Sequence, residues 1–265
     1  MIILAALPYN ARCSQPSEPS VKLHMMMGRP VVDGVFLNGQ GPLRFLLDTG
    51  AQSNQVQASI ARKLGLTPTF QTKMDTVSGT IHVAGGRIAE VSLGSARASN
   101  QEFLFTAMDG VHALSAEIQG VLGQEFLARF DYLIDFANHR VVFGAGVPEA
   151  GRRVDFERID GRPAIETSEG KLVLDSGTDT AILFRASSSE PNSRVRTATG
   201  QASVSTVHRL SLRIAGREYH PANAASIPRA SLGEDGELPA SLFHAVFFSN
   251  SGRYAILDPV VRLNK

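Results

Sequence analysis

Two aspartates occupy nearly the same local sequence: Phe45-Leu46-Leu47-Asp48-Thr49-Gly50-Ala51, and Leu172-Val173-Leu174-Asp175-Ser176-Gly177-Thr178. At average residue frequencies one such Asp-Thr/Ser-Gly motif arises by chance in roughly one chain of this length in forty, so two copies, each behind three apolar residues, are not coincidence. The apolar run predicts a buried strand. The hydroxyl residue and glycine after the acid allow a tight turn that exposes a carboxyl while bonding its neighbours. Two carboxyls brought into one site share a proton, and such a pair can serve as base and acid within a single reaction.

The elements that must position these acids are duplicated as well. Gly28-Arg29-Pro30-Val31-Val32 recurs as Gly161-Arg162-Pro163-Ala164-Ile165, 20 residues before the first acid and 14 before the second, so one lead-in hairpin is shortened. In the longer copy Asn38-Gly39 predicts a two-residue turn. Beyond the acids, Thr76-Val77-Ser78-Gly79-Thr80 answers to Thr197-Ala198-Thr199-Gly200-Gln201, each a hairpin tip between β-rich stretches. Ile88 to Leu93 parallels Leu210 to Ile214, and Gly120-Val121-Leu122-Gly123 parallels Gly236-Glu237-Leu238-Pro239, each of these last followed by a hairpin. The joint falls between Gly144 and Gly151. Helix is scarce: Val56 to Leu64 predicts one, stopped by Gly65, with shorter turns near Gln124 to Ala128 and Ala240 to His244. The class is all-β with few short helices, divided into residues 1–20 as a leader, 21–147 as one lobe and 148–265 as the other.

Composition narrows the function classes. A formal net charge of +1 over 265 residues carries no nucleic-acid footprint, and no apolar run is long enough to span a bilayer. The single cysteine, Cys13, excludes an internal disulfide framework and a cysteine zinc cluster. His82, His112, His139 and His208 are isolated and read as surface or hydrogen-bonded residues. The Asp175 segment lacks the second acid, two residues on, of phosphohydrolase nucleophiles. Gly-x-Ser-x-Gly, Gly-Lys-Ser/Thr and His-Glu-x-x-His motifs do not occur. No metal and no cofactor are expected. Ile2 to Leu7 reads as the tail of an export signal without a basic start, leaving periplasmic or extracellular and cytoplasmic residence both open.

These motifs, three per half in the same order from about Gly28 to Leu257, resemble the aspartic peptidases, and in particular the retropepsin-like members of bacteria and retroviruses. The resemblance implies an acid-protease fold of two pseudo-twofold related, β-barrel-like lobes in one monomeric chain, with Asp48 and Asp175 as the catalytic dyad across a water. It implies that Thr49 and Ser176 exchange hydrogen bonds, that Gly50 and Gly177 offer backbone N–H groups to the acids, and that the Thr178 hydroxyl bonds Asp175 and makes it the more readily ionised partner. Ser78, Gly79 and Thr80, with Thr199, Gly200 and Gln201, would be two flap tips over an extended polypeptide substrate, in pockets lined by residues such as Ile81, Val83 and Val204. Pro239 departs from the pattern, since proline removes a backbone donor and the close approach that glycine allows. The expectation is an aspartic endopeptidase, with a peptide-binding protein of weak or absent turnover as the alternative if Pro239 displaces the loop behind Asp175.

Overall fold

The computed structural model describes residues 20–76, 79–186, 191–197, 200–228 and 233–260. The first half contributes β1 (Ser20–Met26), β2 (Arg29–Leu37), β3 (Gln40–Leu47), β4 (Asn54–Gln57), α1 (Ala58–Lys63), β5 (Phe70–Thr76), β6 (Gly79–Leu93), β7 (Ala96–Thr106), α2 (Asp109–His112), β8 (Gly120–Leu122), α3 (Gln124–Leu127), β9 (Tyr132–Asp135) and β10 (Arg140–Phe143). The second contributes β11 (Arg152–Ile159), β12 (Arg162–Thr167), β13 (Gly170–Asp175), β14 (Ala181–Leu183), β15 (Ser193–Thr197), β16 (Gly200–Thr206), β17 (Leu212–Ile214), β18 (Arg217–Tyr219), β19 (Ala224–Ser226), β20 (Gly236–Pro239), a 3-10 turn (Ala240–Leu242), β21 (Ala245–Ser249) and β22 (Tyr254–Leu257). The molecule is all-β.

Pairing runs β2–β3–β8–β4–β7–β6 and returns from β6 to β2 through Val35↔Leu93, so the first half is a closed six-stranded barrel. The second half repeats the path as β12–β13–β20–β14–β19–β16. Its ring stays open among the described residues. The shortened hairpin explains this: β12 has 6 residues where β2 has 9, leaving no strand for β17 to join. Two hydrogen bonds between Arg213 of β17 and Ser168, in the β12–β13 turn, stand in for the missing seam.

A third sheet joins the halves in the order β1–β10–β9–β21–β22–β11, with the pseudo-twofold axis between β9 and β21. Its alternating residues are apolar on both faces. Leu133, Val142, Phe247 and Ile256 pack on one, while Tyr132, Ile134, Val246 and Phe248 join the main core on the other. Tyr132 of the first half stacks on Phe248 of the second at 5.0 Å between ring centroids. Fully burying a side chain of this size stabilises by about 1.5–3 kcal/mol, so the contact across the axis contributes to holding the halves together.

Local rules account for the smaller elements. Asn38 and Gly39 both take positive φ, at 50° and 76°, as a primed two-residue turn requires. The helix expected from Val56 starts at Ala58 instead, because Val56, fully buried, is claimed as a strand residue by Phe105 of β7 and Gly120 of β8. Gly65, at φ 69°, ends that helix as expected.

Candidate active site

β3 and β13 approach the twofold axis from opposite sides and deliver their acids to it. Asp48 follows the last residue of β3, where its N–H donates to Leu122 O at 3.0 Å; Asp175 is the last residue of β13. The two side chains hydrogen-bond each other. Asp48 Oδ1 accepts the N–H groups of Gly50 at 2.9 Å and Ala51 at 3.0 Å, and Asp175 Oδ1 accepts that of Gly177 at 2.6 Å. Each glycine has a second role. A Cβ built on Gly50 would collide with the Asp175 carboxyl, and one on Gly177 with that of Asp48. The missing side chain of each loop is therefore the space occupied by the other loop's acid.

The loops are locked by reciprocal hydrogen bonds. Thr49 N–H donates to Ser176 Oγ and Ser176 N–H to Thr49 Oγ1, both at 2.9 Å; each hydroxyl then donates across the axis, Thr49 to Leu174 O and Ser176 to Leu47 O, both at 2.7 Å. Both residues are fully buried, so each bond forms out of competition with water. Gln124 adds a bond from Nε2 to Thr49 O at 2.8 Å, which the second half, with Ala240 at the related position, lacks. Thr178 behaves differently from the sequence expectation. Its hydroxyl donates to Thr180 O and accepts the Thr180 N–H, each at 3.2 Å, closing its own turn.

Electrostatics nevertheless separates the two acids. Burial, the charge of Asp175 and the hydrogen bond to it hold Asp48 well above the ordinary carboxylate range, against the Gly50 N–H, and Glu237 adds to the rise. Burial also raises Asp175, but the hydrogen bond from Asp48, the Gly177 N–H and the positive charges of Arg29 and Arg162 oppose it. Both carboxyls are thus held above the ordinary range, so the pair retains a proton more readily than it carries two charges. Arg29 reaches across the axis, donating from Nε to Gly177 O and from Nη2 to Asp179 Oδ1, both at 2.8 Å. Its repeat partner Arg162 stays in its own half, on the fully buried Glu234 at 3.1 Å.

Pro239 does not displace the loop behind Asp175. The register Leu174↔Leu238 and Asp175↔Pro239 continues the same parallel pairing that sets Leu47↔Leu122 in the first half. In the first half the Gly123 N–H donates to Asn54 Oδ1 at 3.0 Å, and a Cβ on Gly123 would stand 2.6 Å from Ser53 O. Strand pairing equates Asn54 with Ala181, so where proline removed the donor, alanine removed the acceptor.

The proposed flap segments are the ends of two hairpins, β5–β6 closing at Thr76↔Gly79 and β15–β16 closing at Thr197↔Gly200. Gly79, Thr80, Gly200 and Gln201 lie in these strands, while Ser78 and Thr199 lie outside the described residues. Val83 and Val204 are buried and Ile81 is exposed. Sequence reasoning noticed Arg29 only as part of a repeat and Gln124 only as part of a helix; their bonding partners are far along the chain. No cluster of three metal-ligating side chains occurs among the described residues, and no described helix is long and apolar enough to cross a membrane.

Residues 33–126 match the family model described as aspartyl protease. Among solved structures, a retropepsin-like aspartic protease from Rickettsia conorii is similar, with 20% identity over 47% of this chain and 87% of that one, at a TM-score of 0.35. No curated protein matches the chain.

Proposed function

We propose that this protein is a retropepsin-like aspartic endopeptidase whose single chain supplies both catalytic acids, a reading that the aspartyl protease model over residues 33–126 supports. The observation that carries the reading is the facing pair Asp48–Asp175, each carboxyl raised by burial, inside a reciprocal lock that holds the two loops together. Charged Asp175 withdraws a proton from a water held between the carboxyls, and the resulting oxygen attacks the peptide carbonyl carbon. Protonated Asp48 donates to the carbonyl oxygen as it gains charge, and the tetrahedral adduct collapses when the amide nitrogen takes the proton now on Asp175. No covalent enzyme intermediate is needed. Arg29 and Arg162 favour the charged form of Asp175 and so favour the state that begins the cycle.

The substrate is an extended polypeptide, held by main-chain hydrogen bonds between the two hairpins β5–β6 and β15–β16 and the dyad, since that mode fixes the scissile carbonyl irrespective of side chain. Ser78, Gly79, Thr80, Thr199, Gly200 and Gln201 are the proposed covering tips.

Cleavage of a mixed peptide library from acid to neutral pH tests this, with Asp48→Asn and Asp175→Asn beside the parent. The parent should cut and both variants should lose turnover by at least about 10³-fold, the scale of a general acid–base contribution. A parent that retains peptides yet cuts none would instead mark a binding protein.

A further inference from the structure

The peptide unit between Thr49 and Gly50 is held from both ends. Its N–H, on Gly50, donates to Asp48 Oδ1 at 2.9 Å, and its carbonyl, on Thr49, accepts from the Gln124 side-chain amide at 2.8 Å. The N–H and C=O of a trans peptide share one rigid plane and point in opposite directions, so a grip on the carbonyl sets where the N–H aims. Gln124 is itself fixed to the same loop. Its backbone N–H donates to Ala51 O at 2.8 Å, and the next one, of Glu125, donates to Gln52 O at 3.0 Å. Its side chain is 4% exposed and adjoins the fully buried Tyr132.

The second half does without this grip. The registers Leu47↔Leu122 and Leu174↔Leu238 align Gln124 with Ala240, which is fully buried and has no side-chain donor. A buried amide destabilises unless it is hydrogen-bonded, so the presence of one where the other half has alanine is explained by the bond it makes. That bond goes to the loop of Asp48, whose Oδ1 accepts the N–H groups of Gly50 and Ala51, while Asp175 Oδ1 accepts that of Gly177. Against the rise of Asp48 caused by burial and by Asp175, the Gly50 N–H acts in the opposite direction.

We propose that Gln124 is a positioning residue for the dyad: its grip on the Thr49 carbonyl holds the Thr49–Gly50 plane and so keeps the Gly50 N–H on the Asp48 carboxyl. This rests on the endopeptidase reading above. A peptide free to tilt would misdirect that N–H, and a hydrogen bond weakens steeply as its angle falls toward about 120°. Asp48 would then lose both a restraint on its orientation and a donor that favours its charged form. Asp175, whose loop is built without such an amide, would keep its own bond to Gly177. The effect is therefore one-sided.

The test compares the parent with Gln124→Met, which keeps the length of the side chain and removes the donor. Turnover of peptides should show kcat lower by about tenfold or more, within the roughly 10²-fold loss that follows a 1 Å misplacement, with KM changed by less than about threefold. The carboxyl carbon NMR signals of isotope-labelled aspartate should show the dyad's titration moved to higher pH in Gln124→Met. An amide that only stabilises the fold would lower the denaturation midpoint and move neither readout. Parent-like kcat, or an unmoved titration, overturns the proposal. If the parent cuts nothing, the titration alone decides: a moved titration keeps the positioning role while the peptidase reading falls. Gln124→Glu serves if Gln124→Met does not fold. Its new carboxyl can donate to Thr49 O only while protonated, so its kcat relative to the parent's should be highest at acid pH and decline as pH rises. A ratio that is flat in pH overturns the proposal.

Discussion

Thr49 and Ser176, 127 residues apart in sequence, each donate a backbone N–H to the other's hydroxyl at 2.9 Å. Neither bond can be lost alone without leaving a buried group unpaired. Thr49→Val, which keeps shape and removes the hydroxyl, should destabilise by about 1–3 kcal/mol for each group it strands, and Ser176→Ala by a similar amount. Because the two share one network, the double variant should cost less than the sum. Urea titration of the three proteins checks this; strict additivity would mean that the bonds act independently.

Gly50 and Gly177 each leave the space that the opposite acid fills. Gly177→Ala should push Asp48 aside and lower kcat by about 10²-fold or more, the scale associated with a misplacement of 1 Å, while the fold persists. Circular dichroism alongside turnover distinguishes this from global unfolding. Parent-like turnover would show that the acid does not need the vacancy.

Asp48 keeps its proton in the folded state at pH values where the unfolded chain releases it, near the ordinary value of 3.8. The folded state therefore binds more protons than the unfolded one above that pH. This contribution to stability is complete below about pH 4 and is lost as pH rises toward the raised folded value. Asp48→Asn removes the titration. Its stability relative to the parent should increase as pH goes from 4 to 8, read as a growing difference in denaturation midpoint. A difference independent of pH would contradict the protonation assigned to Asp48.

Asn54 holds the Gly123 N–H, and the related pair Ala181 and Pro239 has neither acceptor nor donor. Asn54→Ala should cost about 1–3 kcal/mol by stranding a buried donor. Pro239→Gly should instead destabilise by a few tenths to about 1 kcal/mol through the freer unfolded chain and bring no gain in turnover. A large rise in activity in Pro239→Gly would restore the view that proline impairs the site.

Much of this architecture is legible in the chain. The apolar run, acid, hydroxyl residue and glycine are contiguous, so a local reading finds both acid loops, and their repetition, with the Gly-Arg-Pro and Gly120 to Gly123 echoes, indicates two halves of one plan. What is not legible depends on register between distant segments. Pro239 looks damaging until strand pairing shows that its partner position also changed. Val56 fits a helical stripe until β7 and β8 flank it. Arg29 reads as a repeat marker because its partners, Gly177 and Asp179, lie about 150 residues away. The Thr178 hydroxyl, which the family resemblance pairs with Asp175, is engaged by the turn at Thr180.

The six-stranded sheet along the axis leaves each half with an incomplete edge. Severing the backbone in the exposed connector between Phe143 and Arg152 would give two fragments that still meet edge to edge through β9 and β21. Such a nicked protein should travel as one species on gel filtration and come apart only in denaturant, so the covalent link serves assembly by raising the effective concentration of one half near the other, and the finished molecule no longer requires it.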